Sequence, residues 1–483
     1  MGAGGHAAVL RLRRRGGSRA LARVPALLGL AGLAALAGAA YALAAYGIEP
    51  SVPPIAAAAT VALVIGLWRL EYGIALLIVL TPFAENVSIT EPGEAKIRVA
   101  LVAWAVLLVG VQALRVLMSG ERLRSPSLLL PALLFLGAAL LSVPIAENEA
   151  EAASKFLLVA GSLMVYLLIS MFLTDWQRLW PVLASLVVVG LVVGAHAVYQ
   201  YAVGDVSRVG FVSDTGTVEY RIASFFPHPN QLAGFLGLLV PVALGVFALR
   251  PSALLRTACL VVAALGVLVV VLTYSRGALV ALIALPLVLI RHKNSWPVIA
   301  GVLVLLALLA PDVWRGRVAE VASLDRPEIA TRLDFWRASV EMFDANPVAG
   351  VGLNGFADAY LDLEQPGRTY LGGGFLDPPE TAHNLYLNTA AEQGLIGLSA
   401  LALLIVAFFA LCLRLRRSAD ARTRTMGLAL GGAGVVLFVH NVFDVTFLDP
   451  KTSTLAWALI GVGGALDQME RRRGSAEPAR PAW

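Results

Sequence analysis

Residues 383–413 read HNLYLNTAAEQGLIGLSALALLIVAFFALCL. Beyond Gly394 the run is almost wholly apolar, and at about 1.5 Å per residue its length is of the order needed to cross roughly 30 Å of hydrocarbon. Backbone groups in lipid have no water to bond, so such a run has to be helical. Similar runs recur at 24–47, 52–68, 70–84, 97–118, 127–145, 153–173, 178–201, 229–249, 254–273, 276–291, 295–311, 425–445 and 452–469. The 52–68, 70–84 and 276–291 runs are short, so the expectation is about 12–14 spans. With 58% hydrophobic and 14% charged residues and a mean hydropathy of +0.78, the chain has mostly lipid as its solvent. The expected fold class is an all-α, polytopic membrane protein whose first partner is a lipid bilayer.

The basic residues set the orientation. Most of the 37 Lys and Arg fall in the N-terminal RLRRRGGSR and in alternate loops around Arg69, Arg115–Arg124, Arg178, Arg250–Arg256, Arg291–Lys293, Arg414–Arg424 and Arg471–Arg480. Most of the 32 acidic residues fall on the other side. Basic loops stay in the cytoplasm, so both termini are expected there. This divides the chain into a basic cytoplasmic N-terminus (1–23), a transmembrane bundle (24–311) with an outer loop at 202–228, an outer loop domain (312–383), C-terminal transmembrane helices (384–470) and a cytoplasmic tail (471–483). The formal charge of +5 is thus a topology signal and implies no nucleic-acid partner. The first apolar run follows a basic segment and contains ALAGAA, but its length of about 22 residues suits an anchor better than a removable signal. Cys259 and Cys412 both lie inside expected spans, so no disulfide is expected.

Polar residues gather on the outer face. Arg221 lies in EYRIASFFPHPNQ (219–231), together with His228. Ser275 and Arg276 lie in TYSRG (273–277), a tight turn between two apolar runs. His383 ends the long loop, followed by Asn384 and Glu392. Ordinary structural roles exist for each: an arginine snorkels to headgroups, Asn384 caps a helix, and Glu392 pairs inside the bundle. Arg276 fits such a role least, because a charge near membrane depth is costly without a partner. His440, in HNVFD (440–444), reads as a buried structural histidine. Phe335 and Trp336 lie on an amphipathic helix expected near 328–344 and read as seating it on the membrane.

Two arginines and a histidine on one face suit a definite chemistry. Arginine offers a fixed fork of donors to phosphate oxygens and stays charged. Histidine takes a proton near neutral pH. Together they can hold a lipid diphosphate and deprotonate an attacking hydroxyl, the arginines offsetting the leaving group's charge as a metal ion would. No metal-ligand cluster is visible: Asp362 and Glu364 make only a lone DxE. No metal and no other cofactor are therefore expected.

The segments RIASFFPHPNQLAG (221–234), TYSRGALVAL (273–282), RLDFWRASVEMFDANPVAGVGLNGF (332–356) and HNLYLNTAAEQGLIGL (383–398) resemble, in order and spacing over roughly 180–445, the O-antigen ligase family. That family also contains related O-antigen and exopolysaccharide polymerases. The resemblance implies a GT-C-related enzyme of the bacterial inner membrane with a large periplasmic loop and a periplasm-facing site. It implies metal-independent, inverting transfer of a glycan from undecaprenyl diphosphate to a sugar hydroxyl of a glycan or lipid A-core acceptor. His383 would be catalytic, and Arg221 and Arg276 would bind the diphosphate. Asn384, Glu392, Ser275, Arg332 and His228 would support them. Ligase and polymerase differ only in acceptor, and the motifs do not separate them. A transporter or flippase is the non-enzymatic alternative, but transporters usually set ionisable residues near the midplane between pseudo-symmetric halves. Here they crowd one face.

Overall fold

The computed structural model describes residues 64–83, 97–120, 125–204, 210–212, 218–289, 327–363 and 379–476. The expected spans 24–47 and 295–311, most of 52–68, and the loop residues 364–378 lie outside them. Each expected span that falls within them is met by a helix: α1 (Leu70–Leu80), α2 (Ile97–Ser119), α3 (Leu129–Ser142), α4 (Glu149–Phe172), α5 (Trp176–Val203), α6 (Pro229–Ala248), α7 (Ala253–Leu272), α8 (Arg276–Leu289), α11 (Leu385–Leu415), α12 (Ala421–His440) and α13 (Pro450–Ala476). Between them come α9 (Pro327–Ala345), which is the expected amphipathic helix, and the short α10 (Phe356–Asp362). Among the described residues seven helices are long and apolar enough to cross a membrane: α2, α4, α5, α6, α7, α11 and α12. The 202–228 loop contains the strands described, Gly210–Val212 paired antiparallel with Val218–Tyr220. This hairpin delivers the chain directly to Arg221.

The helices end where the sequence supplies caps. Asn148, Asp175, Ser252 and Asp420 each accept a hydrogen bond from the first turn of α4, α5, α7 and α12, which satisfies an N–H that has no helical partner. Between the caps, small residues let helices approach closely, as packing within lipid requires. A Cβ on Gly245 would lie 2.4 Å from Ala429, and one on Gly266 would lie 2.6 Å from Val240. These contacts knit α6 to α7 and α12. Helix α13 is buried over most of its length, with Trp457 wholly enclosed, so the charges at its two ends need not meet lipid.

Those charges lie at opposite ends of the bundle. At one end the buried Asp467 of α13 meets Arg414 at 2.6 Å and Arg471 at 2.7 Å and accepts from Ser127. At the other end α6, α8, α11 and α13 begin and α12 finishes. That is the end holding Arg221, Arg276 and His383.

Two helices depart from the sequence expectation, both at this second end. The run 384–413 is not one continuous helix. Gly394 has φ 59° and ψ −155° and breaks α11 after its first turns. The groups freed by the break are paired by the NPVAGVG loop: Leu395 and Ile396 N–H donate to the carbonyls of Pro347 and Val348, and Val351 and Gly352 N–H donate to those of Ala391 and Glu392. Full pairing is what lets non-helical backbone persist at this depth. Helix α12, expected to run to 445, stops at His440. Asn441 turns the chain, donating to Leu437 O and Thr446 Oγ1 and accepting from Phe447 N. The turn carries Asp444 back toward the other polar residues.

Candidate functional site

Arg221 follows the hairpin and precedes α6. Its Nε donates to the carbonyl of Thr273 at 2.6 Å, and its Nη2 donates to Asn230 Oδ1 at 3.1 Å. The Thr273 carbonyl is left without a helical partner because α7 ends at Leu272, and Tyr274, at φ 54°, turns the chain into α8. Two segments far apart in sequence, RIASFF and TYSRG, are thereby locked together through one guanidinium. Charge-assisted bonds of this kind are worth about 1.5–3 kcal/mol each.

Arg276 opens α8. It is half-buried and has no hydrogen-bond or ion-pair partner among the described residues. The next residue has to be small: a Cβ on Gly277 would lie 2.7 Å from Phe443 and 3.2 Å from the His440 ring, so the first turn of α8 lies flush against the end of α12. Arg332, on α9, donates from Nη1 to the carbonyl of Phe443 at 2.8 Å. The three arginines converge on one cavity of about 340 Å³, lined also by Asn230, Tyr274, Ser275 and Trp336. Three guanidiniums around one cavity, one of them at the N-terminus of α8, give it the positive charge an anion would meet.

His383 is not among the residues lining this cavity. It stands beside it, at φ 49°, with its side chain 33% exposed and Nδ1 3.7 Å from Asp444 Oδ1. That distance is an electrostatic contact rather than a hydrogen bond. Its ring stacks on Phe335, centroids 6.2 Å apart. Nδ1 is buried, so Nε2 is the nitrogen left to meet a reactant. Burial alone would raise the Asp444 carboxyl. The interaction with His383, with smaller contributions from His440 and His228, outweighs this and holds it below the usual carboxylate range. Asp444 is thus an anion among three histidines.

His228 caps α6, its Nδ1 accepting from Asn230 N–H at 3.1 Å. Burial, with Arg221, His383 and Arg332 nearby, pushes its pKa down to about 4 against the opposing pull of Asp444. It is therefore neutral at ordinary pH and serves the loop that carries Arg221. His440 is buried against Thr446, 3.5 Å from Nδ1 to Oγ1, the structural position expected for it, and also lines the cavity. Asn384 caps α11 as expected, accepting from Tyr386 and Leu387 N–H at 3.0 and 3.1 Å. Glu392 lies away from the cavity. Its carboxylate takes backbone N–H groups of Asn354 and Phe356 and the Asn388 side chain, which fastens the VGLNGF loop to the break in α11.

Phe335 and Trp336 require a correction. Trp336 lines the cavity and Phe335 backs His383, so neither simply seats α9 on a membrane. The α9 periodicity predicts an amphipathic helix, but its apolar face packs on the protein, with Ala338 and Met342 buried. Asp444 as the partner of His383 was not assigned from sequence. Its signal was the polar HNVFD at the end of an apolar run. Among the described residues no group of three or more His, Cys, Asp or Glu converges as metal ligands would.

No curated protein matches the chain. Residues 260–402 match the family model described as O-Antigen ligase. The match is narrower than the 180–445 over which the motifs run: it contains Arg276, Arg332, His383 and Glu392, while Arg221, His440 and Asp444 lie outside it. Over residues 260–402 the chain is thus similar to the O-antigen ligase family.

Proposed function

We propose that the chain is a glycosyltransferase that moves a glycan from undecaprenyl diphosphate to a sugar hydroxyl of an acceptor such as lipid A-core, at the periplasmic face of the inner membrane. The observation that carries this reading is the convergence of Arg221, Arg276 and Arg332 on one cavity at the bundle end where His383 meets Asp444. The donor's diphosphate sits among the arginines, and its prenyl chain stays in lipid. The acceptor hydroxyl attacks the anomeric carbon from the face opposite the diphosphate, and its proton passes to His383 Nε2. The bond from the anomeric carbon to the diphosphate oxygen breaks, the configuration inverts, and undecaprenyl diphosphate leaves as an anion stabilised by the arginines. Asp444 keeps His383 Nδ1–H turned inward and offsets the imidazolium that forms. No divalent ion is needed in this scheme.

The acceptor distinguishes ligase from polymerase. The test offers reconstituted protein the lipid-linked glycan with lipid A-core, or with a second lipid-linked glycan, each in EDTA. Transfer to lipid A-core supports the ligase; elongation of the second lipid-linked glycan supports the polymerase. Activity abolished by EDTA and restored by Mg²⁺ would contradict the metal-free scheme.

A further inference from the structure

The turn that carries Arg221 is held from behind by polar residues of a membrane-spanning helix. Gln200, near the end of α5, is buried. Its Oε1 accepts from the N–H of Ala223 at 3.1 Å and from the N–H of Ser224 at 2.9 Å. One turn earlier on the same face, His196 Nδ1 lies 2.9 Å from Ser224 Oγ, and its ring stacks on Phe225 with centroids 4.1 Å apart. Ser224 has φ 52°, a left-handed conformation that a serine holds only when its surroundings impose it. Ile222, Ala223 and Phe226 are buried, so the buried Ala223 amide depends on Gln200 for a partner. The amides lie two and three residues from Arg221, within the turn that fixes where its guanidinium emerges.

We propose that Gln200, seconded by His196, is a positioning residue for Arg221, and through it for the diphosphate of the donor. Polar side chains on a membrane-spanning helix are costly unless they are bonded, and both of these spend their bonds on this turn. Without the clamp the turn relaxes toward ordinary backbone angles, and Arg221 loses its register with Thr273, Asn230 and the cavity. The inference rests on the lipid-diphosphate reading above, and the experiment separates the two.

Gln200→Met, Gln200→Glu, His196→Phe and Arg221→Lys are compared in proteoliposomes, varying the concentration of a lipid-diphosphate-linked disaccharide. Thermal unfolding of each purified variant is followed in parallel. Gln200→Met should raise the donor KM about tenfold while lowering kcat less. Gln200→Glu, which keeps an oxygen able to accept both amides, should recover most of that loss. His196→Phe keeps the stacking and should give a smaller rise in KM. Combining Gln200→Met with Arg221→Lys should add little to the worse single change, because both act on one guanidinium. If Arg221→Lys impairs transfer while Gln200→Met lowers only the unfolding temperature and leaves KM unchanged, the positioning role is overturned and the donor reading stands. If Arg221→Lys itself leaves KM and kcat unchanged, both fall.

Discussion

Asp444 Oδ1 faces His383 Nδ1 at 3.7 Å, across a turn that exists because α12 stops at His440 and Asn441 redirects the chain. The two residues are 61 positions apart, and neither has a function near the other unless that turn forms. The contact orients the imidazole and leaves Nε2 outward. Asp444→Asn should therefore lower the transfer rate by roughly 10²-fold or more, within the range a positioned base contributes, with little effect on donor binding. The check is single-turnover transfer beside crosslinking of a photoreactive polyprenyl diphosphate. An unchanged rate would remove Asp444 from the mechanism.

Arg276 tests the anion site. A lysine keeps the charge but loses the planar fork. Arg276→Lys should lose most activity, and Arg276→Ala should in addition bind the diphosphate probe poorly. Arg276→Lys with full transfer would leave the residue a headgroup contact only.

His228 predicts a pH effect on stability. Its pKa is about 4 in the fold against an ordinary value of 6.5, so between those values the unfolded chain binds a proton that the native chain does not. Stability should fall as pH drops through that window. His228→Asn keeps a capping acceptor without the titration. Its unfolding temperature in detergent should drop less than the wild type's between about pH 7 and pH 5. Parallel declines would assign the acid sensitivity elsewhere.

The loop docked on α11 gives a structural prediction. Gly352, at φ 105°, would place a Cβ 2.2 Å from the Ala146 backbone, where neither angle nor space suits a side chain. Gly352→Ala should destabilise the protein by several kcal/mol, in the upper range for single substitutions, read as a lowered unfolding temperature and earlier proteolysis after Ala345. A neutral result would mean the loop can undock without cost.

Most of the fold was legible because lipid leaves so few options: apolar runs of spanning length become helices, and their capping residues mark the ends. The breaks were not legible. Gly394 is paired by a loop distant in sequence, NPVAGVG, and Asn441 by a close turn onto Thr446 and Phe447, contacts that an apolar run does not announce. The candidate residues were legible as a set of types on one face, with Arg276 flagged by its cost so near lipid. What the sequence did not reveal was pairing. Glu392 holds a loop, Trp336 lines the cavity, Asp444 faces His383, and Gln200 braces Arg221 through contacts that no spacing rule encodes.

The central claim is that this chain alone transfers a lipid-diphosphate-linked glycan using its arginines and His383. It is tested most directly by purified protein in proteoliposomes, supplied with undecaprenyl-diphosphate-linked glycan and lipid A-core acceptor in EDTA, with product glycan and released undecaprenyl diphosphate counted together. The account predicts equimolar formation of both by the wild type. It predicts neither from His383→Ala, although that variant still binds the donor. Transfer by His383→Ala at the wild-type rate would contradict it.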